Sequence, residues 1–252
     1  MDFRKIFDSN VSPDEFDKLR TRYCDKCFAD MTEYAQIDSD KSVLEIGPGT
    51  GQATEPILKT GCSYLAIELG ENFTTYMKKR YGLYSNFQIV NADFETFDFM
   101  EKQFDLIYSA ATIQWIPEEI AFSKTFNLLK NNGTLAMMTT YTDYRIHNEN
   151  LYQEIQKVYD EYFRPETPYT QHLEYQNAVN YGFVGFERRE YHNVREYNAD
   201  EFIAWKSIMA PHLTLPEPFK SKFFEGIRNA VLKHGNNIIL RDTIILYLTR
   251  KL

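Results

Sequence analysis

The 252-residue sequence is poor in cysteine and contains no long apolar run. Its three cysteines are an odd number, and the Met-Asp-Phe-Arg-Lys start lacks the apolar core of a secretion signal, so a disulfide framework is not expected. No stretch of about 18 apolar residues, the length needed to cross a bilayer, is present. We therefore expect a soluble, cytoplasmic protein that does not bind membranes.

Soft metal ligands and clustered positive charge are also scarce. Cys24 and Cys27 form a CxxC pair, but no second pair and no histidine pair with ligand spacing accompanies it, so no metal site is predicted. The formal net charge is −8, and the densest cationic run, at 78–80, has three positions. Phosphate binding needs clustered Lys and Arg, so a nucleic-acid partner is not expected. The sequence leaves a monomer and a homodimer open.

What the sequence does contain is a regular alternation of strand-like and helix-like segments. The predicted strands are 42–47, 63–69, 87–93, 104–110, 133–140, 186–197 and 243–249. The predicted helices that connect or follow them are 52–60, 71–81, 117–130 and 149–163. Short apolar strands separated by crossover helices predict a doubly wound α/β fold, here with a mostly parallel seven-stranded sheet and a helical cap.

We interpret the whole chain, 1–252, as a single domain. Its three parts follow one another: an N-terminal helical cap at 1–40, a cofactor-binding half at 41–141 and a substrate-side half at 142–252. In the cap, Ser12 and Pro13 mark a helix start, since Ser caps well and Pro suits the first helical position. A proline-broken insertion at about 199–235 is expected to be helical and to cover the carboxyl edge of the sheet.

The most informative segment is VLEIGPGTGQAT at 43–54, which places three glycines between a predicted strand and a predicted helix. Glycine lets the chain turn sharply and lets a ligand approach the backbone. A dinucleotide fingerprint needs GxGxxG, but the sixth position is Gln52 when counted from Gly47 and Thr54 when counted from Gly49. No Gly-Lys-Ser/Thr of a P-loop follows. A purely structural turn stays as the alternative.

Acidic residues mark three successive predicted strands: Glu45 lies within the first, Glu68 ends the second and Asp93 ends the third. In a doubly wound sheet the ligand lies across the carboxyl ends of the strands, so these positions converge on one crevice. A carboxylate that ends the second strand can accept hydrogen bonds from both hydroxyls of a ribose. The pattern therefore favours an adenosine-containing ligand.

With E-x-G-x-G-x-G at 45–51 and these acidic strand ends, the chain resembles the class I S-adenosylmethionine-dependent methyltransferases, type 11 group, over nearly its whole length. Ile-Gln-Trp-Ile-Pro at 113–117 resembles the branch that includes trans-aconitate methyltransferase. A group of bacterial methyltransferases opens with YDxxRPxYP. Here Phe16, Asp17, Arg20 and Tyr23 match that opening, whereas both prolines are lost.

The resemblance implies S-adenosylmethionine as the cofactor and S-adenosylhomocysteine as its product. In that family the glycine loop holds the methionine end, the acid after the second strand holds the ribose, and the end of the third strand receives the adenine. The implied cofactor-binding residues are Arg20, Tyr23, Glu45, Gly47, Pro48, Gly49, Thr50, Gly51, Gln52, Glu68, Leu69, Asp93, Phe94, Ser109 and Ala110. Arg20 suits a charge-assisted pair with the methionine carboxylate. A solvated Arg20 and a core Tyr23 are the alternative.

Three residues are candidates for the reacting centre. By the resemblance, Gln114 and Trp115 follow the fourth strand beside the reacting methyl group; packing of Trp115 in the core is the alternative. The histidines all come after the fifth strand, at 147, 172, 192, 212 and 234. We select His212, because it shares the predicted insertion with Trp205 and Met209; an exposed or capping histidine is the alternative.

The predicted function is methyl transfer from S-adenosylmethionine to a small molecule, with carboxylic acids as a candidate class. The displacement mainly needs alignment and exclusion of water, and an acceptor carboxylate needs no base. Aromatic positions of the cap, such as Phe3, Phe7 and Phe16, are expected to close over the acceptor. The alternatives are an NAD-linked oxidoreductase, a ligand-binding scaffold without activity and a macromolecular acceptor. Ser-Ala-Ala-Thr at 109–112, in place of a Pro-Pro-aromatic motif, argues against nucleic-acid amino groups.

Overall fold

The computed structural model describes residues 5–166 and 173–252, so Phe3, which is expected to help close over the acceptor, and His172 lie outside the described residues. The strands are β1 (Ser42–Ile46), β2 (Ser63–Glu68), β3 (Phe87–Asn91), β4 (Phe104–Ala110), β5 (Leu129–Asp143), β6 (Val184–Tyr197) and β7 (Ile238–Arg250). The helices are α1 (Ile6–Asn10), α2 (Pro13–Leu19), α3 (Asp25–Ala35), α4 (Thr54–Leu58), α5 (Glu71–Tyr81), α6 (Glu118–Leu128), α7 (Glu149–Tyr162), α8 (Ala199–Ser207), α9 (Ala210–Leu213) and α10 (Phe219–Lys233).

The strands form one sheet in the order β3-β2-β1-β4-β5-β7-β6. The first five strands of that order are parallel, and β7 runs antiparallel to both β5 and β6. From β1 the chain adds β2 and β3 on one side of the sheet, and then returns to add β4 and β5 on the other side. Ligands of such folds bind outside the carboxyl ends of the strands at this point, between β1 and β4. The predicted doubly wound, seven-stranded fold is confirmed.

Alternating side chains of the central strands supply two separate cores. On β1, Val43 packs into the core on one face of the sheet, whereas Leu44 and Ile46 pack into the core on the other. A strand buried on both faces is expected to be continuously apolar, and β1 follows this rule except at Glu45. The packing of β1 in both cores thus fixes the position of the glycine loop, which follows Ile46.

The N-terminal helices begin where the sequence predicts. The Ser12 hydroxyl accepts a hydrogen bond from the Glu15 amide at 3.2 Å, and Pro13 is the first residue of α2. Phe7 and Phe16 of α1 and α2 pack edge to face, and Phe16 packs in the same way on Phe73 of α5. This small aromatic cluster, which Ile208 joins, places α1 and α2 above the carboxyl ends of the strands.

The predicted insertion is helical and comprises α8, α9 and α10. Its prolines fall where the prediction places the break, in α9 and before α10. Its apolar side chains form a third core with α7, which includes Trp205, Phe223 and Ile227. Within the described ranges, no helix is both long and apolar enough to cross a bilayer.

Several boundaries differ from the prediction. β7 begins at Ile238 rather than at 243, because Arg241 and Asp242, which interrupt the apolar alternation, still pair in the sheet. β5 begins at Leu129, which pairs with Phe104 ahead of a register shift. A 3₁₀ helix at Tyr175–Tyr181 has no counterpart in the prediction.

Candidate functional site

A crevice of about 1040 Å³, partly open to solvent, lies at the carboxyl ends of β1, β2 and β4. The glycine loop and the ends of the strands form its floor, and α1, α2 and the segment after α2 form its roof. The predicted site residues that line the crevice are Arg20, Tyr23, Gly47, Pro48, Gly49, Gln52, Glu68, Leu69, Asp93, Phe94, Ala110 and Trp115. The structure therefore brings together the residues predicted to bind the methionine end of the cofactor and those predicted to bind its adenosine.

The loop after β1 requires its glycines. Gly47, Gly49 and Gly51 have φ angles of +67°, +59° and +89°, a region that side chains disfavour. A Cβ atom on Gly47 would lie 2.3 Å from the Thr112 Cγ2 atom. The Thr112 hydroxyl donates a hydrogen bond to the Gly47 carbonyl at 3.0 Å, so the chain after β4 holds the loop in place. The sequence analysis missed Thr112.

Glu68 lies at the end of β2 with 9% of its surface exposed. One carboxylate oxygen accepts a hydrogen bond from the Gly49 amide at 3.1 Å, and the other accepts one from the Gly70 amide at 2.8 Å. Burial raises the pKa of Glu68 to about 7, although these amide bonds lower it. Each carboxylate oxygen has a second lone pair, so the group can still accept two hydroxyls from the crevice.

Asp8 of α1 is a crevice residue that the sequence analysis did not identify. Its carboxylate accepts hydrogen bonds from the Asn72 and Phe73 amides at 2.9 and 3.3 Å, at the start of α5. The negative charge of Asp8 also raises the pKa of Glu68. No local signal reveals this contact, because Asp8 and Asn72 are 64 positions apart. Asp8 fixes the roof beside the acidic end of the crevice.

Arg20 and Tyr23 lie in the roof after α2. The Arg20 guanidinium lies 5.5 Å from the centroid of the Phe16 ring, and its Nη1 atom is 3.8 Å from the Met209 sulfur. Burial raises the pKa of Tyr23 to about 12, so its phenol stays protonated at neutral pH. Opposite charges thus line the crevice: Arg20 is cationic, whereas Asp8, Glu68 and Asp93 are acidic.

Six predicted site residues do not line the crevice: Glu45, Thr50, Gly51, Ser109, Gln114 and His212. Thr50 accepts a hydrogen bond from the Gln52 amide group at 2.5 Å, and the Tyr81 hydroxyl donates to the Gly51 carbonyl at 3.3 Å. The Ser109 hydroxyl donates to the Ile46 carbonyl at 3.1 Å and accepts from the Ile113 amide at 3.0 Å. Thr50, Gly51 and Ser109 therefore support the floor on the side away from the crevice.

Glu45 is 1% exposed and lies beneath the loop, because strand alternation turns its side chain into the core. One carboxylate oxygen accepts hydrogen bonds from the Thr54 hydroxyl at 2.6 Å and from the Tyr64 hydroxyl. The other oxygen has no hydrogen-bond partner among the residues that the structure describes. Burial raises the pKa of Glu45 to about 7. Glu45 therefore ties β1 to the first turn of α4 and does not face the crevice.

We expect Glu45→Gln to make the free energy of unfolding less dependent on pH. The folded-state pKa of about 7 lies above the ordinary value of 4.5, so ionisation of Glu45 opposes folding. The stability present below pH 4.5 is lost as the pH rises to 7, by about 2–3 kcal/mol between pH 5 and pH 8. Urea titrations of both proteins at these two pH values measure this difference. Equal pH dependence in the two proteins would contradict the assignment.

Gln114 and His212 are core residues, which corrects the predicted place of Gln114 beside the methyl group and the predicted substrate-facing place of His212. Gln114 is buried and accepts a hydrogen bond from the Tyr175 hydroxyl at 3.4 Å. The His212 Nε2 atom is 2.9 Å from the Tyr159 hydroxyl, and aromatic rings surround the imidazole. Burial, with help from the Lys206 charge, lowers the pKa of His212 to about 3. The sequence does not show which way these two side chains point, because that depends on how separate helices pack.

The part of the chain that the structure describes contains no group of three or more His, Cys, Asp or Glu residues arranged to hold a metal ion. Likewise, none of the histidines within residues 5–166 and 173–252 lines the crevice. The polar chemistry of the crevice rests on carboxylates, one guanidinium, backbone amides and hydroxyl groups.

Parts of the chain are similar in sequence to known methyltransferases. Residues 44–137 match a family model described as a methyltransferase domain. Over 63 residues the chain is 40% identical to ribosomal RNA small subunit methyltransferase A of Hahella chejuensis, covering 25% of this chain and 23% of that protein. Over 119 residues it is 31% identical to malonyl-[acyl-carrier protein] O-methyltransferase 1 of Ilyobacter polytropus, covering 45% and 44%. The chain thus spans less than half of these curated relatives.

Solved structures share the fold over most of the chain. The YcgJ protein of Bacillus subtilis aligns with a TM-score of 0.60 at 13% identity, over 90% of this chain and 98% of that one. A Haemonchus contortus phosphoethanolamine N-methyltransferase 2, solved with S-adenosylhomocysteine, aligns with a TM-score of 0.59 at 14% identity, over 99% and 60%. At these identities the likeness shows the fold.

The methyltransferase-domain match and the glycine loop support the predicted cofactor, S-adenosylmethionine. Residues 44–137 match a methyltransferase-domain model, and the sheet and helices around them share a Rossmann-like fold with methyltransferases of known structure.

Proposed function

We propose that the crevice binds S-adenosylmethionine and that the protein transfers its methyl group to a small-molecule acceptor. The observation that carries the proposal is the pairing of Glu68 with the glycine loop on the floor of one roofed crevice. In this placement Glu68 accepts the ribose hydroxyls, Leu69 and Phe94 flank the adenine, and the loop holds the methionine portion. Arg20 pairs with the methionine carboxylate.

The shape of the loop fits such a ligand. A Cβ atom on Gly49 would lie 3.5 Å from the Phe16 ring, between the floor and the roof of the crevice. Glycine at this position therefore leaves open the space that a bound ligand needs. The acidic side chains on the floor suit ribose hydroxyls as donors, and cationic Arg20 suits a carboxylate.

Once bound, the cofactor supplies an activated methyl group on a sulfonium. The residues of this chain then have to orient the acceptor and exclude water. Phe7 and Phe16 in the roof and Trp115 beside the floor present apolar rings to the crevice. Such a lining favours an acceptor whose nucleophilic group needs no activation by the protein. A carboxylate is already ionised at neutral pH and needs no base.

Two features support a small acceptor over a polymer. The roof of α1 and α2 packs on α5 through the Phe16–Phe73 contact, which closes one side of the crevice. The formal charge of −8 also disfavours a polyanion such as RNA. We propose small carboxylic acids as the class to test first, in keeping with the Ile-Gln-Trp-Ile-Pro resemblance at 113–117.

The test uses S-adenosylmethionine labelled on its methyl group. We expect transfer of the label to one or more small acids or phenols in a panel, and none to ribosomal RNA or to total protein. Trp115→Ala is expected to lower that transfer while S-adenosylhomocysteine still binds. Label on RNA or protein alone would overturn the small-acceptor proposal. Tight cofactor binding with no labelled product in any fraction would instead support a scaffold role.

A further inference from the structure

The segment that carries Arg20 and Tyr23 is attached to a distant part of the chain. It runs between the end of α2 and the start of α3. Arg20 and Tyr23 line the crevice, whereas Thr21, between them in sequence, is 7% exposed and contacts the substrate-side half. The Thr21 hydroxyl oxygen lies 3.3 Å from the Trp205 Nε1 atom and 3.4 Å from the Arg195 Nη2 atom, and it accepts a hydrogen bond from each.

A buried ion pair holds Arg195 in turn. Its Nε and Nη2 atoms donate to the two carboxylate oxygens of Asp242 at 2.5 and 2.9 Å, and Asp242 is 0% exposed. The Thr142 hydroxyl donates to the same carboxylate at 2.6 Å. The Arg195 guanidinium also lies 5.2 Å from the centroid of the Trp205 ring. Paired, planar groups of this kind have little freedom to move, so Thr21 meets a fixed partner.

We propose that Thr21, Arg195, Trp205 and Asp242, here called the Thr21 latch, position Arg20 and Tyr23 for binding the methionine end of the cofactor. The proposal rests on the proposed function. Thr21 is a positioning residue, because it acts through Arg20 and Tyr23 and does not itself line the crevice. The latch links β6, β7 and α8 of the substrate-side half to the roof of the cofactor site.

Hydrogen bonding, rather than packing alone, gives the latch its specificity. Valine has nearly the shape of threonine but accepts no hydrogen bond, so Thr21→Val keeps the volume and removes the acceptor. The Arg195 and Trp205 donors then lose a buried partner, and the segment that bears Arg20 is free to shift. Thr21→Ser keeps the acceptor and is expected to restore the behaviour of the unaltered protein.

The experiment compares two ligands by calorimetry. S-adenosylhomocysteine has the methionine-derived end, and 5′-methylthioadenosine has the same adenosyl part without the amino and carboxylate groups. We expect Thr21→Val to weaken binding of the first about 5- to 20-fold, less than the direct loss of a hydrogen bond to a charged ligand group, because Thr21 acts through Arg20. Binding of the second should change less than twofold. A general loss of stability would weaken the binding of both ligands equally.

Two further variants complete the test. Thr249→Val removes another fully buried threonine hydroxyl from the same half, one that donates to the Val184 carbonyl at 2.9 Å, and it should leave both affinities unchanged. In an Arg20→Ala background, Thr21→Val should have a much smaller additional effect, since Arg20, the charged residue that it positions, is gone. Equal weakening of both ligands, or an unchanged S-adenosylhomocysteine affinity, would overturn the latch. Failure of the unaltered protein to bind S-adenosylhomocysteine would overturn the proposed function itself.

Discussion

Glu68→Ala is expected to weaken S-adenosylhomocysteine binding by about 1.5–3 kcal/mol, or roughly 10- to 150-fold, while the protein stays folded. The loss follows because Glu68 is the carboxylate that ends β2 in the crevice and, in the proposed function, accepts both ribose hydroxyls. Its side chain contributes little to the apolar cores, so the unfolding temperature should fall by only a few degrees. Calorimetry and thermal unfolding of the same samples measure the two effects separately.

Glu68→Gln provides the matched control, because it keeps the shape and removes the charge. The pKa of Glu68 is raised to about 7, and ribose hydroxyls favour the ionised carboxylate as acceptor. The affinity of the unaltered protein should therefore rise from pH 6 to pH 8, and that of Glu68→Gln should stay nearly constant. An undiminished affinity in Glu68→Ala would place the ribose elsewhere.

Gly47→Ala is expected to destabilise the fold by about 2–5 kcal/mol. Two causes add: alanine at a φ of +67° costs about 1–2 kcal/mol, and the new Cβ atom would lie 2.3 Å from Thr112, an overlap of the kind that costs about 1–3 kcal/mol. For a chain of this length we expect the unfolding temperature to fall by on the order of 10 °C. Differential scanning calorimetry measures it.

Gly235→Ala and Gly49→Ala separate the two causes. Gly235 has a φ of +87°, and no atom of the described part of the chain lies within 4 Å of its Cβ position, so this substitution should show the backbone strain alone. A Cβ atom on Gly49 would have only ordinary contacts and would occupy the crevice, so Gly49→Ala should reduce ligand affinity more than stability. If Gly47→Ala were no more destabilising than Gly235→Ala, the close approach of Thr112 to the loop would be disproved.

Local sequence signals were sufficient for the parts of the site that local geometry determines. Three glycines between a strand and a helix predict a sharp turn, and all three have positive φ angles. Glu68 and Asp93 follow parallel strands, whose carboxyl ends meet at one edge of the sheet, and both line the crevice. These predictions needed only the positions of the strands.

Other features depend on contacts between distant residues and were missed or misplaced. Glu45 belongs to the glycine motif, yet the alternation along β1 turns it towards Tyr64 in the core. Asp8 reaches the start of α5, 64 positions away. Asp242 would interrupt a strand on sequence grounds, but Arg195 pairs with it and allows its burial. Only the folded chain shows these partners.

The most direct test of the central claim is a crystal structure of the protein with S-adenosylhomocysteine. We expect electron density in the crevice, with the ribose hydroxyls within hydrogen-bond distance of the Glu68 carboxylate. The amino-acid portion should lie along the loop from Gly47 to Gly51, with its carboxylate beside Arg20. Density outside the crevice, or a ribose away from Glu68, would contradict the account.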